Sequence, residues 1–431
     1  MDGASVASTL SPMFHISLRR FTAVLALCAM PMYPQGAKHA HSPAAIQSRP
    51  LIVLDSVVTE QWPASLEAVN VPDNIVFLNP GQCVRVGVAA VGDGFEHFLD
   101  GMSISYSVRA GDKYDDFPVQ PAAASKLIKP DGGDFVTGAL ATAGIKNPLE
   151  STGSLAVSAA RWCVPLDAAE GTARVTVNVT LNNKTRKLDE VSVQIESLGA
   201  AAAKSFKHMQ ELGSWMDSYH SHPEPGRLIA AVKLVAADHD ENPNGLEFLK
   251  AAFAHDAATA KALGPYIAKM DKLPKMVSLV LLKNAGVQLI QPPVLSEDDE
   301  EFLKKSAALP DPYNMAPGTK LWMNLDLLWA DFIATGRKEP IVAITRTLAW
   351  KSDYDAFAQM QKEGKRPTEL TDSLIRGLTY SAAGWSLSSF DNNDPLAADY
   401  IQSILADPGT PSQIQEALKS MHTNSAFRHD H

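Results

Sequence analysis

Leu325-Asp326-Leu327-Leu328-Trp329-Ala330-Asp331-Phe332-Ile333-Ala334-Thr335-Gly336 is the stretch that decides the fold of the second half of this chain. Leu325, Leu328, Trp329, Phe332 and Ile333 stand at i, i+3, i+4, i+7 and i+8, the spacing that lines one face of a helix. Gly336 is placed to end that helix. Pro340 then fits the first turn of another, whose stripe is Ile341, Ile344 and Leu348. Two amphipathic helices on a short loop predict a helical hairpin. Similar stripes recur at Leu228 to Ala236, Leu246 to Phe253, Leu273 to Leu281, Leu374 to Ser388, Pro395 to Leu405 and Ile414 to Met421. About ten helices on short loops predict a helical-repeat-like, solenoid-like domain, although no fixed repeat period is present.

Upstream the period changes. Met102, Ile104, Tyr106 and Val108 alternate with Ser103, Ser105, Ser107 and Arg109, and Val175, Val177, Val179 and Leu181 alternate with Thr176, Asn178 and Thr180. Period two is the mark of a strand with one buried and one wet face. Val191, Val193 and Ile195 continue it, and Asn182-Asn183-Lys184 between the last two runs predicts a hairpin. Seven or eight short strands without a long helix predict an all-β immunoglobulin-like sandwich, with 111–148 as a long insertion. The pattern switches near Gly199. The expected organisation is therefore α+β and multidomain: a signal and lead over 1–48, the sandwich over 49–198, the all-α domain over 199–422 and a tail over 423–431.

Arg19 and Arg20 precede the apolar run from Phe21 to Met30, after which come Pro31, Pro34 and Gly36. A charged region, an apolar core and a helix-breaking exit predict a signal peptide. The run is about half of the ~20 residues a spanning helix requires, so no membrane span is expected after the signal, and the expected location is periplasmic or secreted. Bulky Leu27 argues against lipidation at Cys28. Beyond the signal stand Cys83 and Cys163, an even count that in an exported chain predicts a disulfide closing a long loop. Strict alternation sets Cys83 opposite Val84, Val86 and Val88, so a bridge between sheets would require a bulge, and two separate small hydrophobes is the other reading.

With 48 acidic against 38 basic residues and no long basic run, nucleic acid is excluded as an expected partner. The chain lacks a Gly-x-Ser-x-Gly elbow, a His-Glu-x-x-His pair and a phosphate-binding Gly-x-x-x-x-Gly-Lys loop. Asp240-Glu241-Asn242-Pro243-Asn244-Gly245 matches the first half of a calcium loop. Position twelve is Ala251, which leaves Glu247 as the only nearby closing carboxylate. The candidate ligand set is Asp238, Asp240, Asn242, Asn244 and Glu247; a helix-capping loop predicts the same letters. The His220 and His222 pair lacks a third ligand at spacing, and His429 and His431 lie in the tail. Trp322 and Trp385 are candidate ligand anchors in the helical half. The Ser296-Glu297-Asp298-Asp299-Glu300 cluster reads as an N-cap with an acidic first turn.

The 325–336 phrase and Ser381-Ala382-Ala383-Gly384-Trp385-Ser386-Leu387 resemble segments of uncharacterised bacterial exported helical proteins. The resemblance covers about the last third of the chain and implies helix pairing and a bacterial source, with no activity to carry over. These readings together predict an exported binding or interaction protein for a protein, peptide or polymer, with the helical domain as surface and the sandwich as platform. No cofactor is expected. The alternative is an exported metal-dependent hydrolase with a calcium or zinc site near the 238–247 loop.

Overall fold

The computed structural model describes residues 47–54, 75–92, 102–110, 113–116, 120–121, 126–128, 154–181, 184–220, 223–238, 242–315, 321–364, 369 and 371–421. Strands come first: β1 (Gln47–Leu54), β2 (Ile75–Leu78), β3 (Cys83–Gly92), β4 (Met102–Ala110), β5 (Lys113–Asp116), β6 (Gln120–Pro121), β7 (Lys126–Ile128), β8 (Ser154–Cys163), β9 (Gly171–Leu181) and β10 (Lys184–Ile195). They pair in the orders β1-β3-β8-β7 and β2-β10-β9-β4-β5, with β6 on β4. The β9–β10 hairpin closes with Leu181 opposite Lys184 and carries a register shift between Lys187 and Asp189.

The immunoglobulin-like expectation is corrected here. Helix predominates among the described residues, and a large all-β sandwich is not seen. Buried Val108, Ala173, Val193 and Ile195 lie on β4, β9 and β10. The physical reason is that alternation reports a strand with two unlike faces and leaves open what covers the apolar one. The 111–148 stretch, expected as an insertion, carries β5, β6 and β7.

Helices follow directly. The last strand ends at Ile195, and α1 (Leu198–Ala203) is capped by Ser197, whose hydroxyl accepts from the Ala200 amide at 3.2 Å. Next come α2 (Met209–Asp217), α3 (Leu228–Ala237), α4 (Pro243–His255), α5 (Ala257–Lys261), α6 (Gly264–Ala268), α7 (Lys272–Asn284) and α8 (Glu297–Lys305). The chain continues with α9 (Leu321–Thr335), α10 (Lys338–Arg346), α11 (Lys351–Lys362), α12 (Asp372–Asn393), α13 (Pro395–Ala406) and α14 (Ser412–Lys419). None of the described helices is long and apolar enough to cross a membrane.

The stripe on α9 behaves as its spacing requires. Leu325, Leu328, Trp329 and Phe332 are buried, and Trp329 stacks flat on Phe390 of α12 at 3.8 Å between ring centroids. Gly336 adopts φ +62° and its amide returns to the Phe332 carbonyl at 2.7 Å, the left-handed stop that glycine makes inexpensive. A second core gathers Trp215, Tyr219 and Phe248 edge to face, with α3 and α4 supplying Leu228, Ile229, Val232, Leu249 and Phe253.

A buried polar clamp joins the sheet to the helices. The Asn79 amide donates to Gln82 Oε1 at 2.6 Å, and Gln82 Nε2 donates to the Pro223 carbonyl at 2.9 Å. Asn79 Oδ1 accepts from the Gly226 amide at 3.0 Å, and the Thr259 hydroxyl donates to the Pro80 carbonyl at 2.8 Å. Each group is withdrawn from water, so each must find its partner here.

Candidate functional site

Among the described residues of the candidate ligand set, Glu247 is the carboxylate that the fold buries, at 3 % exposure. It sits on α4 in an otherwise apolar run, and Lys250, one turn on, reaches its Oε2 at 2.6 Å. Helix α4 packs against α9, which brings up a second buried carboxylate, Asp331, also 3 % exposed. Arg337, just past the Gly336 stop, grips Asp331 through one terminal nitrogen at 2.8 and 3.0 Å to its two oxygens. Tyr313, arriving from the segment that follows α8, donates its hydroxyl to Asp331 Oδ2 at 2.7 Å. The Thr335 hydroxyl donates to the Asp331 carbonyl at 2.7 Å.

The electrostatics follow from burial. Loss of water raises the Glu247 carboxyl above its usual range; the Lys250 ammonium pulls it down, and the charges of Asp331 and Asp311 push it up again. Burial and the neighbouring Asp331 carboxylate push the Tyr313 phenol well up. Burial disfavours the charge of Arg337, but the Asp331 carboxylate outweighs it and raises the guanidinium. Two separate ion pairs result: Glu247–Lys250 within α4, and Asp331–Arg337 at the end of α9, to which Tyr313 fastens the 309–315 segment by a charge-assisted hydrogen bond.

The other expected site residues are distributed as follows. Asp238 ends α3, and its backbone amide donates to Leu234 and Val235 carbonyls. Asp240 lies outside the described residues, as do His222, His239, His429 and His431. Asn242 caps α4, accepting from the Gly245 amide at 2.9 Å, and Asn244 is half-buried in the first turn of that helix. No group of three His, Cys, Asp or Glu side chains that could hold a metal occurs among the described residues. His220 is buried, with Nε2 3.2 Å from Asp394 Oδ2. Trp322 falls in the first turn of α9, and its side chain is outside the described set; Trp385 is half-buried in α12.

Cys163 is disulfide-bonded, and its register partner across the antiparallel β3–β8 ladder is Cys83. The two cysteines are therefore backbone register partners within one sheet, not residues of two opposed sheets. Lys250, Tyr313, Asp331 and Arg337 were missed in the sequence. Asp331 gave a signal as the lone charge in Leu327–Ala334 and Lys250 as one of two charges, with Glu247, in Leu246–Phe253; Tyr313 and Arg337 gave none.

No family model matches the chain, and no curated protein matches it in sequence.

Proposed function

We propose that this chain is an exported binding protein whose helical half offers the contact surface to another protein. One observation carries the reading: Leu273, Ile290, Val294 and Phe302 are 61 %, 60 %, 98 % and 55 % exposed. All four fall between the start of α7 and the middle of α8. Large apolar side chains left in water cost hydration free energy that a partner's apolar face relieves. Export is supported by the charged and apolar pattern from Arg19 to Met30.

The test is site-specific photo-cross-linking in the native envelope, with a photoreactive phenylalanine at position 294 or 302 and at control position 304. A discrete adduct at 294 and 302, absent at 304 and lost on adding Leu273→Lys, supports the reading. Adducts indistinguishable between the three positions overturn it.

A further inference from the structure

The segment from Gln291 to Met315 is unlike the rest of the helical half. Pro312 is its only buried residue, and α8 within it buries none. Apart from Leu309, which packs against the hydrophobic core, its attachments to the body are polar. Lys272 Nζ meets Asp299 Oδ1 at 3.1 Å near the start of α8. Lys283 Nζ donates to the Leu303 carbonyl at 2.6 Å, to the Ser306 carbonyl at 3.3 Å and to the Ser306 hydroxyl at 3.2 Å at its end. Asn284 Oδ1 accepts from the Leu309 amide at 2.8 Å, Asn324 Nδ2 donates to the Asn314 carbonyl at 2.7 Å, and Tyr313 donates to Asp331. Most of these fastenings are open to water, where each polar contact is exchanged for hydration at little net cost. The helices beneath, α4 and α9, are held instead by buried Phe248, Phe253, Leu328 and Phe332.

We propose that residues 292–315 form a strap that unfastens as a unit while α4, α7 and α9 stay folded, and that its release uncovers the Asp331 carboxylate. Asp331 is 3 % exposed with the Tyr313 hydroxyl of the strap seated on it, so the strap stands over this acid. Stability within one fold is uneven, and segments with few buried apolar contacts and solvent-facing hydrogen bonds open first. The two states differ in countable contacts, the seven strap fastenings given above, so a ligand that favours either one shifts the balance between them.

Amide hydrogen exchange on the full chain, read by mass spectrometry, tests this. In the unmodified protein the strap amides exchange at least ~10-fold faster than those of α7 and α9, the mark of a sub-global opening. Tyr313→Phe and Lys283→Met, made separately, each raise strap exchange a further ~5-fold while α9 changes by less than ~2-fold. Carbodiimide labelling of Asp331 rises in parallel. Strap exchange equal to that of α9 overturns the proposal, as does a rise in α9 matching that in the strap. Asp331 labelling that stays constant in both variants also overturns it.

Discussion

The Tyr313 hydroxyl and the Arg337 guanidinium converge on a single buried carboxylate, Asp331, at 2.7 and 2.8 Å. Neither partner neighbours the other in sequence, so Asp331 ties the strap to the turn that ends α9. Removing it strands a guanidinium and a phenol that the fold has already positioned. Asp331→Ala is expected to destabilise by about 2 to 3 kcal/mol. The loss stays below that of a fully buried pair because the Arg337 side chain remains half exposed. Asp331→Asn keeps an acceptor and loses less. Urea denaturation at pH 7 gives both values, and equal losses for the two variants would show that the acceptor kept by asparagine contributes nothing and that the carboxylate charge carries the whole loss.

Gly81 has two reasons to be glycine. Its φ is +90°, and a Cβ there would stand 2.8 Å from the Thr259 hydroxyl and 2.9 Å from the Thr259 backbone nitrogen. The hydroxyl cannot retreat without releasing the Pro80 carbonyl it holds at 2.8 Å. Gly81→Ala is therefore expected to cost about 2 kcal/mol or more, combining left-handed strain with a broken clamp. Gly286 provides the comparison, with φ +69° and open space around it, and Gly286→Ala should cost only about 1 kcal/mol. Urea midpoints measure the difference. If the two variants lose the same amount, the sheet is not seated on Thr259.

Asp326, half-buried on α9, has its carboxyl pushed up to about 6 by burial. Its folded value lies above the unfolded one, so the folded chain holds the proton more tightly. The stability this gives is present below about pH 4, is lost as the pH rises to about 6, and changes little beyond. Asp326→Asn should therefore raise stability by about 1 to 2 kcal/mol at pH 7.5 and leave it nearly unchanged at pH 4. Thermal melts of both proteins at the two pH values check the sign. A variant that is less stable at pH 7.5 would mean that the ionised carboxylate holds a favourable contact.

The parts of this fold that were legible in sequence are those fixed by residues close together along the chain. The α9 stripe, the Gly336 stop, the Ser296 cap, whose hydroxyl accepts from the Asp299 amide at 3.2 Å, and the β9–β10 hairpin each depend on spacings of about four residues or on one turn. The immunoglobulin-like expectation failed because alternation along β4 or β9 describes one strand's faces and carries no information on the layer opposite. The Asp331 network was illegible for a related reason. Asp331 and Arg337 are six residues apart around a helix stop, Tyr313 comes from another segment, and Glu247 arrives only because α4 packs on α9. A charge inside an apolar stripe marks a partner's existence without identifying it.

Asn242 illustrates how one set of letters can serve two chemistries. Its side-chain oxygen already accepts from the Gly245 amide at 2.9 Å, and Glu247, the only carboxylate near enough in sequence to close a calcium loop, is engaged by Lys250 at 2.6 Å. Binding calcium would require both contacts to be given up, with Lys250 left as an unpaired cation close to the metal. Asn242→Ala should cost about 1 kcal/mol, the worth of an N-cap, and the same amount with calcium present or absent. Millimolar calcium should shift the melting temperature of the unmodified protein by less than about 1 °C, since a ligand stabilises only in proportion to its occupancy of the folded state. Differential scanning fluorimetry with and without calcium decides the matter. A shift of several degrees that disappears in Asn242→Ala would make this corner a metal site and transfer Glu247 from the Lys250 ion pair to the ligand set.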